Sequence, residues 1–187
     1  MVYLAIAVVL ILIIAPIFAI LPSKRQKEQM ALRRIAMSEG LSVELTRIED
    51  PDPDPQKYLS NTGKPLERVM AVIAYRYARR RPANWRQVAR VDWCLVRRQG
   101  AGGEGLPPNW TWEAGTTDRL SSAMRSFIGD NLAKLPNDVV RVEEINYVIS
   151  VYWNEQGGTE AVNAIIGFVK DCALVTPFSA DSADLSE

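Results

Sequence analysis

The chain has 187 residues, of which 48% are hydrophobic and 24% charged, and 22 basic side chains balance 22 acidic ones. This composition is typical of a folded protein, and the net charge of zero does not by itself predict a nucleic-acid partner or an acidic one. The chain contains no histidine, which excludes Ser-His-Asp and Cys-His catalysis and argues against a conventional zinc site.

The first 22 residues carry no charged side chain. A helix of about 20 apolar residues is long enough to span a bilayer, so residues 1–22 predict a transmembrane anchor. The alternative is a cleaved export signal. No Lys or Arg precedes the apolar run, the run is too long for a signal, and Ile20, Leu21 and Pro22 make a poor cleavage site. The pattern therefore favours an anchor.

Positive charge follows the apolar run and predicts its orientation. The candidate lipid-facing residues are Lys24, Arg25, Lys27, Arg33 and Arg34. The positive-inside rule places such a segment in the cytoplasm, with the N-terminus outside and a single membrane pass. Residues 23–40 predict a basic juxtamembrane helix whose partner is the lipid bilayer. The other interpretation is a topology signal followed by a solvated linker.

Residues 41–175 predict one cytosolic α+β domain. Its elements are expected to form a small two-layer sandwich, in which a five-stranded antiparallel or mixed sheet carries two helices on one face. The strands are predicted at 41–48, 69–78, 88–98, 138–144 and 147–155, and the helices at 117–135 and 159–174. The segment 69–78 also has helical spacing, and the Pro-rich stretch 106–115 is interpreted as a loop. Residues 176–187 predict a disordered acidic tail.

Two short patterns suggest ligands only superficially. The sequence "GAGGEG" (100–105) matches a glycine fingerprint, but Leu-Pro-Pro follows it and cannot open the helix that holds a pyrophosphate. The acids of "DPDPD" (50–54) lack the glycine and the terminal Glu of a calcium loop. Cys94 and Cys172 fit two free thiols in a reducing compartment. The sequence therefore predicts no cofactor and no metal site.

An arginine-rich segment is the strongest candidate for a binding surface. Between Arg68 and Arg98 there are nine arginines and one acid, Asp92, which leaves a local charge of +8. The candidate ligand or partner surface is Arg79, Arg80, Arg81, Trp110 and Trp112. Such arginines can bind phosphates of lipid, RNA or a nucleotide. They can equally face a membrane or lie on the outer face of a half-buried strand.

The stretch "PSKRQKEQMALRRIAMSEGLSVEL" directly after the apolar run, with the later "LPNDVVRVEE" and "ISVYWNEQGG", resembles a group of single-span inner-membrane proteins of gammaproteobacteria that are labelled YajC-like. The resemblance implies a location in the bacterial inner membrane and an accessory role at the protein translocase. It carries over no catalytic or binding residue.

We expect this chain to be a membrane-anchored, non-enzymatic interaction or scaffold module on the cytosolic face of the bacterial inner membrane. Its expected partner is a membrane or cytosolic protein rather than nucleic acid. Two alternatives stay open. One is a domain that binds anionic lipid or a phosphate ligand. The other is a histidine-independent enzyme that depends on carboxylates or uses a nucleotide. Glu143, Glu144 and Glu155 supply carboxylates, but no motif gives them a catalytic role.

Overall fold

A computed structural model describes residue 3 and residues 23–83, 85–86, 90–113 and 120–177. Within these residues the chain forms one six-stranded sheet with strand order β1-β2-β6-β5-β3-β4, in which each neighbouring pair is antiparallel. The described elements in chain order are α1 (Lys24–Ser38), β1 (Ser42–Glu49), β2 (Val69–Ala78), β3 (Trp93–Arg97), β4 (Trp110–Trp112), α2 (Ser122–Asn131), a 3-10 turn (Leu132–Lys134), β5 (Val139–Ile145), β6 (Val148–Trp153) and α3 (Thr159–Leu174).

Local sequence signals set both ends of α1. The Ser23 hydroxyl accepts from the Gln26 backbone N–H at 3.2 Å, and the Gln26 side chain accepts from the Ser23 backbone N–H at 2.8 Å, which is a reciprocal capping box. Gly40 has φ +88° and follows the last turn. The backbone N–H groups of Gly40 and Leu41 then donate to the carbonyls of Met37 and Ala36. This Schellman arrangement ends the helix.

The main core lies between one face of the sheet and the helices. The largest fully buried side chains include three tryptophans, Trp93, Trp110 and Trp153, and Trp153 meets Tyr75 edge-on at a centroid distance of 5.3 Å. Helix α3 buries the stripe Val162, Ile165, Ile166, Phe168, Val169 and Cys172 against them. Because α1 also packs on α3 and β1, it is part of this layer.

The sheet has two ends that differ in composition. At the arginine end lie the last residue of β2, the turn between β5 and β6, the first residue of β3 and the C-terminus of α3. At the loop end lie the β1–β2 loop, the β3–β4 loop and residues 154–158. The N-terminal half of α1 lies at the loop end, because Arg25 and Glu28 share a groove with Gln156.

The predicted fold class is wrong in two respects. All five predicted strands are present, including 69–78, but the sheet has a sixth strand, Trp110–Trp112, in a stretch interpreted as a loop. Pro107 and Pro108 precede it and suggest irregular structure, yet the pairing of Trp110 with Arg97 and of Trp112 with Leu95 supplies the missing ladder partners. The three described α-helices correspond to those predicted at 23–40, 117–135 and 159–174, but the predicted transmembrane helix is not among them, and α1 packs in the helical layer.

The predicted membrane architecture also requires correction. Among the described residues, no helix is both long enough and apolar enough to cross a membrane. This finding contradicts the predicted single-pass transmembrane protein of the bacterial inner membrane with a cytoplasmic domain. The 15-residue α1 is mostly polar and packs on the sheet layer. Apart from Tyr3, the predicted anchor lies outside the described residues.

Candidate anion-binding surface

Cationic and aromatic side chains converge at the arginine end of the sheet. A pocket of about 470 Å³ is lined by residues 79–83, Tyr147 and residues 173–177. A second, of about 300 Å³, adjoins it and shares Arg81 and Tyr147. We define the arginine surface as Arg80, Arg81, Trp85, Arg86, Arg90 and Tyr147. It is assembled from the chain that follows β2, the chain that precedes β3 and the β5–β6 turn.

The β5–β6 turn presents Tyr147 in an unusual backbone conformation. Asn146 and Tyr147 have φ of 54° and 64°, and Ile145 pairs with Val148 across them. Two positive φ angles define a type I′ hairpin turn, in which Asn is common at the first position and Gly is usual at the second. A tyrosine there is strained by about 1–2 kcal/mol. Such strain persists where surrounding contacts impose it, and it is frequent at functional sites.

Backbone and side-chain contacts hold this turn in place. The backbone N–H of Arg79 donates to the Tyr147 carbonyl at 2.8 Å. The Asn146 backbone N–H donates to Asp92 at 3.0 Å, and Arg90 donates to the Asn146 side-chain oxygen. The strained turn is therefore tied to the ends of β2 and β3, and the Tyr147 ring lies beside Arg81.

Arginines and aromatic rings stack on one another in this surface. The guanidinium carbon of Arg81 lies 5.1 Å from the Trp85 ring centroid and 5.8 Å from that of Tyr147. The guanidinium carbon of Arg86 lies 5.2 Å from the Trp85 ring. Stacking occupies the planar faces of a guanidinium group and leaves the N–H groups at its edge available to carboxylate or phosphate.

Three of these arginines have no hydrogen-bonding or ion-pair partner within the described part of the chain. Arg80, Arg81 and Arg86 make no hydrogen bond or ion pair with a described residue, whereas Arg90 is paired with Asp92 at 2.9 Å. Four arginines and one aspartate leave a local charge of +3 on an exposed surface. The surface is therefore suited to bind an anion.

Arg79 was predicted to belong to the ligand surface, but the structure places it in the interior. Its side chain binds both carboxylate oxygens of buried Glu144, at 2.5 and 2.9 Å, and donates to the carbonyls of Ala173 and Val175. The Trp93 indole N–H also donates to Glu144, at 3.0 Å. Arg79 thus joins the end of β2 to β5 and to the C-terminus of α3, and its guanidinium group is engaged in these internal bonds.

The predicted lipid-facing residues lie apart from this surface. Lys24, Arg25, Lys27 and Arg34 are exposed along α1. Arg33 instead binds Glu155, with donor–acceptor distances of 2.6, 2.9 and 3.1 Å, and the Tyr75 hydroxyl donates to the same carboxylate at 3.1 Å. Glu155 is almost fully buried. This ion pair lies at the opposite end of six-residue β6, about 20 Å from the arginine surface.

The two predicted tryptophans do not join the arginines either. Trp110 is buried, and the Arg97 guanidinium lies over its ring at 4.7 Å. Trp112 is half-buried and lines a separate cleft of about 800 Å³ with Glu104, Arg125 and Asp130. Only Trp112 can therefore touch a ligand, and it would do so at another place on the molecule.

The three interior glutamates are occupied in structural contacts, and both thiols are buried. Glu143 accepts from Arg141 at 2.7 Å and from the Tyr152 hydroxyl at 2.6 Å, as Glu144 and Glu155 accept from Arg79 and Arg33. Burial raises the pKa of the Cys172 thiol to about 12 and also raises the pKa of Cys94. In the part of the chain that the structure describes, no cluster of three or more acidic or Cys side chains is arranged to hold a metal.

The sequence predicts Arg80 and Arg81 as surface residues and includes Trp85, Arg86 and Arg90 only as part of the arginine-rich segment, and it does not predict Tyr147. The sequence alone does not show which of the nine arginines of that segment lie together on the surface. The contribution of Tyr147 depends on the pairing of β2 with β6, which brings the β5–β6 turn beside the end of β2.

No protein-family model, curated protein or solved structure matches this chain. The resemblance to YajC-like proteins therefore stays a prediction from the quoted stretches.

Proposed function

We propose that this protein is a non-enzymatic interaction module that binds a carboxylate-rich segment of a partner protein on its arginine surface. The observation that carries the proposal is the stack of Arg81 and Arg86 on Trp85 and Tyr147, in which the guanidinium edges have no partner among the described residues. Stacking restricts the long side chains before a ligand arrives, so less conformational entropy is lost on binding.

The small positive charge of the arginine surface favours a carboxylate ligand over nucleic acid. A nucleic-acid-binding domain usually carries an extended basic face and an isoelectric point above about 9. This chain has no net charge and an isoelectric point of about 6.4, and the arginine surface carries only +3. A guanidinium edge matches a carboxylate in bidentate geometry, so a short run of Asp and Glu side chains fits this surface.

A non-enzymatic role is supported by the state of the interior acids. Glu143, Glu144 and Glu155 each accept hydrogen bonds from an arginine and from an aromatic side chain. A carboxylate neutralised in this way is a poor general base, since its ordinary partner would have to be displaced first.

Binding of a fluorescently labelled oligo-glutamate peptide to the full chain tests the proposal by anisotropy. The double variant Arg81→Gln/Arg86→Gln is expected to lose about tenfold in affinity, because two exposed guanidinium–carboxylate pairs contribute about 1–2 kcal/mol together. The matched control is Arg34→Gln/Arg68→Gln, which removes the same charge from two exposed arginines outside the arginine surface.

Equal losses in the two double variants would contradict the proposal, since they would mean that the peptide responds to total charge alone. Inorganic phosphate and a labelled single-stranded oligonucleotide form the other two arms. Tighter, surface-dependent binding of either one would favour a phosphate ligand and count against an acidic protein segment.

A further inference from the structure

The two edge strands of the described sheet differ in length and in protection. Strand β4 forms one edge with three residues, whereas β1 forms the other edge with eight. A short strand offers few backbone groups to another chain, and proline, lysine and bulges are other common means of protecting an edge. Strand β1 contains no proline and no lysine, and its register with β2 is continuous over all eight residues. It is therefore a long edge without these protections.

The backbone groups of β1 that point away from the sheet follow from its hydrogen-bond pattern. The Asp50 N–H donates to the Arg68 carbonyl at 2.8 Å, and the register of β1 with β2 continues from this pair. Since alternate residues of a strand bond to the same neighbouring strand, the even-numbered residues of β1 bond to β2. The N–H and C=O groups of Val43, Leu45 and Arg47 therefore point outward.

An exposed leucine lies at the centre of this edge. Leu45 is 70% exposed, whereas the next most exposed large apolar side chain in a described strand, Ile145, is 41% exposed. No described residue binds the outward backbone groups of β1, and the described residues exclude most of the predicted anchor and the predicted tail at 178–187. An unpaired row of backbone groups beside an exposed apolar side chain is suited to pair with another strand.

We infer that β1 pairs with β1 of a second copy of this chain, antiparallel and about a twofold axis at Leu45. A twofold axis perpendicular to the sheet keeps each face on its own side, so the two opposed residues must both be odd or both be even. With the axis at Leu45, this residue lies opposite its own copy and Val43 lies opposite Arg47. The outward groups of all three residues are then satisfied by about six hydrogen bonds.

The side chains of β1 favour this register over its neighbours. An axis at Glu44 or at Arg47 would place like charges directly opposite each other, which is unfavourable. An axis at Thr46 would place Leu45 opposite Arg47, whereas the axis at Leu45 buries the exposed leucine against another leucine. Because Leu45 is its own partner in this register, β1 is complementary to itself.

Cysteine crosslinking of the full chain tests both the partner and the register. In the Leu45→Cys variant, the two introduced thiols would lie on residues whose Cα atoms are about 5.5 Å apart, within the range of a disulfide. The matched control is Arg47→Cys, which changes an exposed residue on the same face. Its two copies would be about 14 Å apart along the strands. Cys94 and Cys172 are buried and should contribute little background.

Mild oxidation is expected to give about tenfold more covalent dimer from Leu45→Cys than from Arg47→Cys, because only the first pair is within disulfide reach. Equal amounts from the two variants would mean that the crosslinks arise by collision and would overturn the inference. A lack of covalent dimer in both variants would overturn it as well.

A proline substitution separates backbone pairing from the fold of the monomer. The Leu45 N–H does not bond to β2, so Leu45→Pro removes an outward donor and keeps the existing ladder, as edge strands allow. Self-association measured by sedimentation velocity should weaken about tenfold or more, since the two central hydrogen bonds between the copies are lost. Leu45→Thr keeps the N–H and should weaken it less. Association of Leu45→Pro equal to that of the unmodified chain, with an unchanged unfolding midpoint, would contradict pairing through β1.

Discussion

Neighbouring arginines in this chain have opposite roles. Arg79 is buried and makes its bonds to Glu144, Ala173 and Val175, whereas Arg80 and Arg81 are exposed and have no hydrogen-bond partner among the described residues. The difference follows from position on the sheet. Arg79 comes directly after β2 beside the buried face of β5, while the next residues leave the sheet. Charge identity alone therefore does not distinguish a structural arginine from a binding one.

The same contrast separates the two ends of the molecule. At the loop end, Arg33 is half-exposed but saturated by buried Glu155, and at the arginine end the stacked guanidinium groups keep their edges free of described partners. An arginine that pairs with a buried carboxylate has a structural role, because a buried charge must be neutralised. Exposed arginines that stack on an aromatic ring without such a carboxylate, as Arg81 and Arg86 do, form a surface that can accept an anion.

Replacing Arg79 is expected to have the largest effect on stability. Arg79→Met leaves Glu144 buried without its cation, which should lower the free energy of unfolding by about 3–5 kcal/mol in urea denaturation. The neighbouring change Arg80→Met is the control and should stay within about 0.5 kcal/mol. Similar losses for the two variants would mean that position on the sheet does not separate these arginines as described.

Loss of the Arg33–Glu155 ion pair should lower stability less than loss of the Arg79–Glu144 pair, because Arg33 is partly solvated. Arg33→Met removes three charge-assisted hydrogen bonds from Glu155 but leaves that of Tyr75, and we expect a loss of about 2 kcal/mol. Arg34→Met, which changes an exposed arginine of the same helix, should be close to neutral. If α1 were a solvated stalk that does not pack on the domain, both changes would be neutral in the same denaturation experiment.

The smallest change in stability is expected at the strained turn. There, one substitution should change stability and peptide affinity in opposite directions. Tyr147→Gly relieves the positive φ and should raise the free energy of unfolding by up to about 1 kcal/mol. It also removes one ring from Arg81, so peptide affinity should fall about threefold, as expected for an exposed cation–π contact. Trp85→Leu provides a comparison that removes a ring without changing the turn. Lower stability together with unchanged affinity would show that the Tyr147 ring is a packing element only.

The sequence by itself determined the local elements. Alternating β-branched strands, the Ser23 cap, Gly40 at the end of α1 and the apolar stripe of α3 depend on contacts within a few residues, and each is present in the structure. The same local rules missed β4, since a three-residue strand after two prolines exists only through its pairing with β3.

The tertiary structure decided which charges meet. Arg33 finds Glu155 across 122 positions, Arg79 finds Glu144 across 65, and Tyr147 reaches Arg81 through the pairing of β2 with β6. Sequence patterns report the preferences of neighbouring residues, whereas the pairing of distant charges depends on strand order and register. The arginine-rich segment could therefore be recognised from the sequence. Which of its arginines form structural ion pairs and which form a binding surface is decided only when the sheet is assembled.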